Sequence, residues 1–395
     1  MKMYAKRINR IQPSATLEMT AKASELRSQG KNVINLSVGE PDFPTPKNIC
    51  DAAVYAMENG YTKYTPGSGM LDLRKAVCEK LERDNKLKYS PQNIIVSCGG
   101  KHSLYNACQT LFEKNDEVIV FTPYWVSFPD FISVTGATPV IVNTNPHAQY
   151  EPDFDDLERK ITSNTKGIII NSPSNPTGGV WDDAAMQRII DIAQAKDIWL
   201  FSDECYEQLV YDSEFKSCAS FSNYDKIVTF QSCSKTYAMT GWRIGYIAGR
   251  EDLVKGMSRL QGQSTSCPNS IAQYAAIEAL IGPQDAIQTM KEAFKRRRDF
   301  VVSKLNDISG ITCDTPGGAF YVFPDVSRIL NKQYGENLIL SPNDLSMALL
   351  KEHSIVTVSG ESFGSNSNVR LSYATSDELL EDALNKLSQF VSKLD

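Results

Sequence analysis

Lys235 stands in an unusual setting. It closes the run Ser232-Cys233-Ser234-Lys235, and Arg243 follows eight residues later. The apolar segment Ile227-Val228-Thr229-Phe230 comes just before, so this lysine is not on an obviously solvated, charge-rich face. An ammonium so placed is a structural lysine, a phosphate ligand or a nucleophile. Ser232 and Ser234 can donate hydroxyl hydrogen bonds, and Arg243 a bidentate charged one, which together suit a phosphate.

Further reactive types sit at the ends of other apolar runs. Gly99-Gly100 follow "NIIVS" and open a helical pattern. Bare backbone N–H groups at a helix start cradle an anion, or form only a tight turn. Asp203 follows "IWLFS", where a carboxylate is costly unless paired. It either caps a turn or pairs with a protonated ring nitrogen, with Tyr206 three residues on. Trp125 is either core packing or a flat face for an aromatic ring. In "NVRLSYA", alternation puts Val369, Leu371 and Tyr373 on one face and Arg370 with Ser372 on the other. The Arg370 fork needs a neighbouring acid or a substrate carboxylate.

The elements that must position these residues are legible. "NIIVS", "EVIVF", "TPVIV", "GIIIN", "IWLFS", "IVTFQ" and "RIGYIA" read as strands, with helical periods between several of them. Leu104, Cys108 and Leu111 share one helix face; Met186, Ile189, Ile190 and Ala193 share another. Continuous apolar strands alternating with helices predict an α/β fold: a mostly parallel, seven-stranded sheet covered on both faces. Ligands of such sheets bind beyond the carboxyl ends of the strands, where five of these motifs fall. After about residue 280 the pattern becomes a smaller α+β unit. The expected division is 47–283 as a large ligand-binding domain, with 1–46 and 284–395 as a small domain with an N-terminal arm.

Bulk properties narrow the function. The 395 residues are 42% hydrophobic and 22% charged, ordinary for a globular protein. A net charge of −6 offers no general attraction to nucleic acid or an anionic membrane. The basic run Lys295-Arg296-Arg297-Arg298 reads as a solvated helix face. Nine scattered cysteines without CxxC spacing read as reduced thiols, and three distant histidines give no metal motif. No apolar run reaches the ~20 residues of a membrane helix. A soluble, cytoplasmic protein is expected. Gly67-Ser68-Gly69 follows no strand and lacks the third glycine of a dinucleotide fingerprint, against a nicotinamide dehydrogenase.

Taken together, Asn175-Pro176-Thr177-Gly178, Asp203-x-x-Tyr206, Ser232-x-Ser234-Lys235 with Arg243, and the late Arg370 closely resemble the fold-type-I pyridoxal-phosphate aminotransferases, over essentially the whole chain. The resemblance implies that Lys235 binds the cofactor as a Schiff base and moves the substrate's Cα proton. It implies that Asp203 keeps the pyridinium nitrogen protonated, that Tyr206 and Asn175 hold the ring's phenolic oxygen, and that Trp125 stacks on the ring. The phosphate would lie at the Gly99-Gly100-Lys101 turn with Ser232, Ser234, Arg243 and Tyr64 of a second subunit. Arg370, Asn175 and Gly39 would hold the substrate α-carboxylate. Pro123 and Pro176 are expected to follow cis peptide bonds, and a homodimer with interfacial sites is implied. "PSAT" (13–16) and the lysine of "GGKHSLYN" resemble the lysine-dependent (Ib) bacterial aspartate aminotransferases, in which Lys101, Ser14 and Thr16 would meet the distal carboxylate. The implied reaction is L-aspartate plus 2-oxoglutarate to oxaloacetate plus L-glutamate, with an aromatic, prephenate or broad-range aminotransferase as the alternative.

Overall fold

Seven apolar segments pair into one sheet. They are β1 (Ile94–Ser97), β2 (Glu117–Phe121), β3 (Thr138–Val142), β4 (Thr165–Asn171), β5 (Trp199–Asp203), β6 (Ile227–Ser232) and β7 (Gly245–Ala248). The computed structural model describes residues 4–11 and 15–395, apart from the side chains of 15–18, 20 and 337. The spatial order is β1-β7-β6-β5-β4-β2-β3. Only β7 runs antiparallel to its neighbours, so β1 and β6 on either side of it point the same way. The remaining pairings are parallel. The carboxyl ends of β1, β2, β4, β5 and β6 therefore reach one edge of the sheet.

The strands are buried on both faces, which explains why they read as continuous apolar runs rather than alternating ones. Alternation decides which layer each residue enters. Ile94 and Val96 pack with Leu73, Val77 and Ala276 on one side, while Ile95 packs with Leu104, Cys108 and Phe230 on the other. The helix Asp183–Ala195 starts where the Asp182 side chain accepts from Ala185 N, and it buries Met186, Ile189, Ile190 and Ala193.

A second core lies under the helices Asp285–Asn306 and Asp377–Val391, around an antiparallel sheet of Tyr321–Val322, Val369–Ser372 and Val358–Ser359. Ile34 and Leu36 belong to that core, and Ile34–Asn35 pairs parallel with Ile355–Val356.

Two readings need correction. The strand in "RIGYIA" begins only at Gly245, because Arg243 is left-handed (φ 57°) and follows a 3-10 turn at Thr240–Trp242. The basic run is not a uniformly solvated face. Arg297 bridges Asp42 and Asp377, and Arg298 is only 3% exposed, pairing with Asp212 and Asp299. Helical period turns these two guanidiniums inward, where acids from neighbouring elements meet them. The bonds before Pro123 and Pro176 are cis, and so is Ser172-Pro173, which sequence reasoning did not anticipate. All nine cysteines are free thiols. No helix among the described residues is long and apolar enough to cross a membrane.

Candidate active site

A cavity of about 290 Å³ opens at the carboxyl edge of the sheet. One end is an anion cradle. Gly99 caps the helix Gly100–Leu111 with φ +92°, a conformation L side chains rarely adopt. A Cβ there would fall 2.4 Å from Arg243 Nη2, so the guanidinium rests against the bare glycine. Gly245 is constrained by space instead, since its Cβ would meet Gly100 N at 2.2 Å. Gly245 is the register partner of both Ser97 and Ser232, which brings the two strand ends together. Ser232 Oγ accepts from Ser234 N at 3.1 Å and lies 2.9 Å from Ser234 Oγ. Gly100, Ser232, Ser234 and Arg243 all line the cavity. Amide donors, hydroxyls and a guanidinium converging on one point are what a phosphate needs.

The cavity floor is set by register. Asn171, Asp203 and Phe230 are direct partners across β4, β5 and β6. Burial pushes the Asp203 carboxyl up to about 6, against hydrogen bonds from Cys205 and the Lys235 charge. The Asn171 side chain donates to Asp203 O at 3.0 Å and accepts from Asn175 N at 2.8 Å, tying two neighbouring loops together. Trp125 lines the cavity, braced edge-on by Phe128 and Phe131 at 5.4 and 5.8 Å between centroids. The Lys101 ammonium lies 4.9 Å from the Trp125 ring centroid. Burial and then Arg243 lower the Lys101 pKa, while Asp130 opposes this. Tyr206 Oη meets Tyr321 Oη at 2.9 Å, and burial holds its phenol well above the usual range.

Lys235 Nζ donates to Gly39 O. Burial pushes the ammonium below its ordinary range; Cys205 and Glu40 pull the other way, and Arg370 and Arg243 add to the lowering. Arg370 is 2% exposed. Its Nη1 donates to Asn175 Oδ1 at 2.8 Å and its Nη2 to Ser37 O at 2.6 Å. The guanidinium lies between the Tyr321 and Phe363 rings, with Nε buried and unpartnered. No ion pair among the described residues includes Arg370. A buried cation with a spare donor is a site for an anion.

Not every candidate gathers here. Gly99 stands behind Gly100 and does not line the cavity. Tyr64 is 89% exposed and away from the cavity of its own chain. Ser14 and the Thr16 side chain lie outside the described residues. Sequence reasoning missed Asn171, Cys205 and Tyr321, which line the cavity. Asn171 ends an apolar strand like the other motif residues, so its signal was available. Tyr321 gave none, because only the packing of the second core brings it beside Tyr206.

A lysine, a buried aspartate, an aromatic wall and an anion cradle meet at this edge of the sheet. The family model "Aminotransferase class I and II" matches residues 31–387, and the chain belongs to that family. The aspartate/prephenate aminotransferase of Cereibacter sphaeroides is 46% identical over 98% of both chains. The aspartate aminotransferase of Bacillus subtilis is 43% identical over 98% of this chain and 99% of its own. Among solved structures, the Rhizobium meliloti aspartate aminotransferase superposes with TM-score 0.96 at 38% identity, covering 100% of both chains. The Thermus thermophilus aspartate aminotransferase with maleate gives TM-score 0.93 at 38% identity, covering 99% of this chain and 100% of that one. The chain is a pyridoxal-phosphate-dependent aminotransferase of fold type I. Its own geometry fits that cofactor: the cradle suits the phosphate, Trp125 and the Asp203 carboxyl suit the ring, and Lys235 lines the same cavity.

Proposed function

We propose that this enzyme transfers the amino group of L-aspartate to 2-oxoglutarate, giving oxaloacetate and L-glutamate. The observation that carries the reading is the buried, unpaired Arg370 in one cavity with Lys235 and Lys101. Arg370 would hold the α-carboxylate with Asn175 and the Gly39 backbone, while Lys101, Ser14 and Thr16 would meet the distal one. A relative crystallised with maleate, a four-carbon dicarboxylate, supports this pairing of cations. Prephenate is also a dicarboxylate, and relatives named aspartate/prephenate aminotransferase make it the second reading.

Pyridoxal phosphate, when bound, supplies an aldehyde and a ring that withdraws electrons from the substrate's Cα. The chain's residues do the rest. Ser232, Ser234, Arg243 and the Gly100 and Lys101 amides would anchor the phosphate, with Gly99 shaping the turn. Asp203 would hold a proton on the ring nitrogen, Trp125 would cover the ring face, and Tyr206 and Asn175 would donate to the ring oxygen. Lys235, with its pKa lowered, would carry the proton to and from Cα.

Tyr55, Met57, Tyr61, Tyr64 and Leu71 are all exposed, in keeping with a homodimer in which Tyr64 reaches the partner's phosphate cradle. Residues 47–283 would form the cofactor domain and 1–46 with 284–395 the smaller one. Nine free thiols are in keeping with a cytoplasmic location.

The test is a substrate comparison on the purified, cofactor-loaded enzyme, reading oxaloacetate formation from aspartate and turnover of phenylalanine and prephenate. Aspartate with the highest kcat/KM of the amino donors is the expected result. A phenylalanine value above it overturns the assignment.

A further inference from the structure

Beside the cavity floor lies a buried polar network that the proposed chemistry does not use. Lys80, on the helix Leu71–Asn85, is 1% exposed. Its ammonium donates to Glu207 Oε1, to Asn85 Oδ1 at 2.9 Å and to Gln231 Oε1 at 2.8 Å. Glu207 Oε2 accepts from Asn85 Nδ2 at 2.6 Å and from Gln231 Nε2 at 3.0 Å. Gln231 Nε2 also reaches Glu204 Oε2 at 3.2 Å, and Tyr246 Oη donates to Gln231 Oε1 at 3.0 Å. Glu204 Oε1 collects Ser202 Oγ, Ser217 Oγ and Cys218 N, at 2.9, 2.9 and 3.0 Å. Every one of these groups is buried.

Stability alone does not account for this arrangement. Burying an ammonium with two carboxylates carries a desolvation penalty that well-packed apolar side chains avoid. The network's place along the chain is informative. Glu204 directly follows Asp203, Glu207 directly follows Tyr206, and Gln231 directly precedes Ser232. Gln231 and Ser232 are successive residues of β6, whose side chains point to opposite faces, while Glu204 and Glu207 lie in the turn that follows β5. Each segment that presents a residue to the cavity therefore also carries a neighbour held in the network. The backbone ladder sets the register of β5 against β6, and the hydrogen bonds from Gln231 to Glu204 and Glu207 tie the turn that follows β5 to β6 beyond the end of that ladder.

We propose that Lys80, Glu207, Gln231 and Glu204 are positioning residues that fix the separation of the segments bearing Asp203, Tyr206 and Ser232, and so the seat of the cofactor. This rests on the reading that those three residues hold pyridoxal phosphate.

The experiment compares wild type with Lys80→Met/Glu207→Met, which removes the ion pair without leaving a lone charge, and with the near-isosteric Gln231→Met. Three quantities are read at one pH: pyridoxal-phosphate Kd on the apoprotein, the absorbance maximum of the loaded protein, and kcat against KM for aspartate. Loss of outer-layer support typically costs 10–100-fold, so a Kd raised about tenfold, a displaced maximum and kcat lowered about tenfold at nearly constant KM are expected. Unchanged Kd, maximum and kcat in a folded variant overturn the proposal. If neither variant folds, the network serves the fold rather than the seat, and the proposal is likewise overturned. Failure of the wild type itself to bind pyridoxal phosphate would instead remove the site reading on which the proposal rests.

Discussion

Arg370 Nη1 and Asn175 Oδ1, 195 residues apart in sequence, are joined at 2.8 Å inside the cavity. The amide oxygen orients one arm of the fork, and Ser37 O orients the other. Nε carries no hydrogen bond, and no acid among the described residues pairs with the guanidinium.

Replacing Arg370 with Lys keeps a charge but loses the planar fork. A hydrogen-bonded charge pair of this kind is worth about 2–5 kcal/mol. The kcat/KM for aspartate is expected to fall by about 10²–10³, with the affinity for pyridoxal phosphate little changed. Steady-state kinetics and cofactor titration on the same preparation check both halves.

Lys235→Ala should fold and bind the cofactor, because the cradle is built by other residues. General acid–base contributions of about 10²–10⁴ set a lower bound on the loss of transamination. Borohydride reduction followed by mass measurement should attach the cofactor to wild type and leave the variant unmodified.

Lys101→Ala separates dicarboxylate recognition from catalysis. Aspartate kcat/KM should drop about tenfold or more while phenylalanine turnover is largely kept. An unchanged aspartate value with impaired phenylalanine turnover would show that Lys101 has another role.

Asp203 makes a prediction about the apoprotein and pH. Its carboxyl is raised to about 6 in the fold from 3.8, so the folded state binds more protons than the unfolded state between those values. That contribution to stability is therefore lost as pH rises from about 4 to 6. Asp203→Asn removes the penalty, and above pH 6 the apo variant should be more stable by about 3 kcal/mol, at 1.36 kcal/mol per pKa unit. Melting curves of both apoproteins from pH 4 to 7 should diverge as pH rises, while transamination by the variant collapses.

Gly99→Ala tests the cradle. The added methyl would displace the Arg243 guanidinium from 2.4 Å and strain a left-handed backbone. Pyridoxal-phosphate Kd should rise about tenfold, in line with the loss of a charge-assisted hydrogen bond.

The sequence by itself determined the sheet and much of what borders its edge. Strands buried on both faces must be continuously apolar, and residues such as Gly99, Asp203 and Ser232 interrupt that pattern where the strands end. Local pattern also placed Arg370 on the face opposite Val369 and Leu371. Tertiary structure decided what no window of residues contains. It set the strand order and the antiparallel β7, which places Gly245 against Gly100 and brings Arg243 to the cradle. It turned Arg297 and Arg298 inward from a solvated run, because the acids that meet them, Asp42, Asp212 and Asp377, come from distant elements. It placed Tyr321 against Tyr206, and it closed Lys80, Glu207 and Gln231 into one network. Periodicity reports which face of an element is apolar. Which polar groups meet across that face depends on how the layers dock, and this is a property of the whole chain.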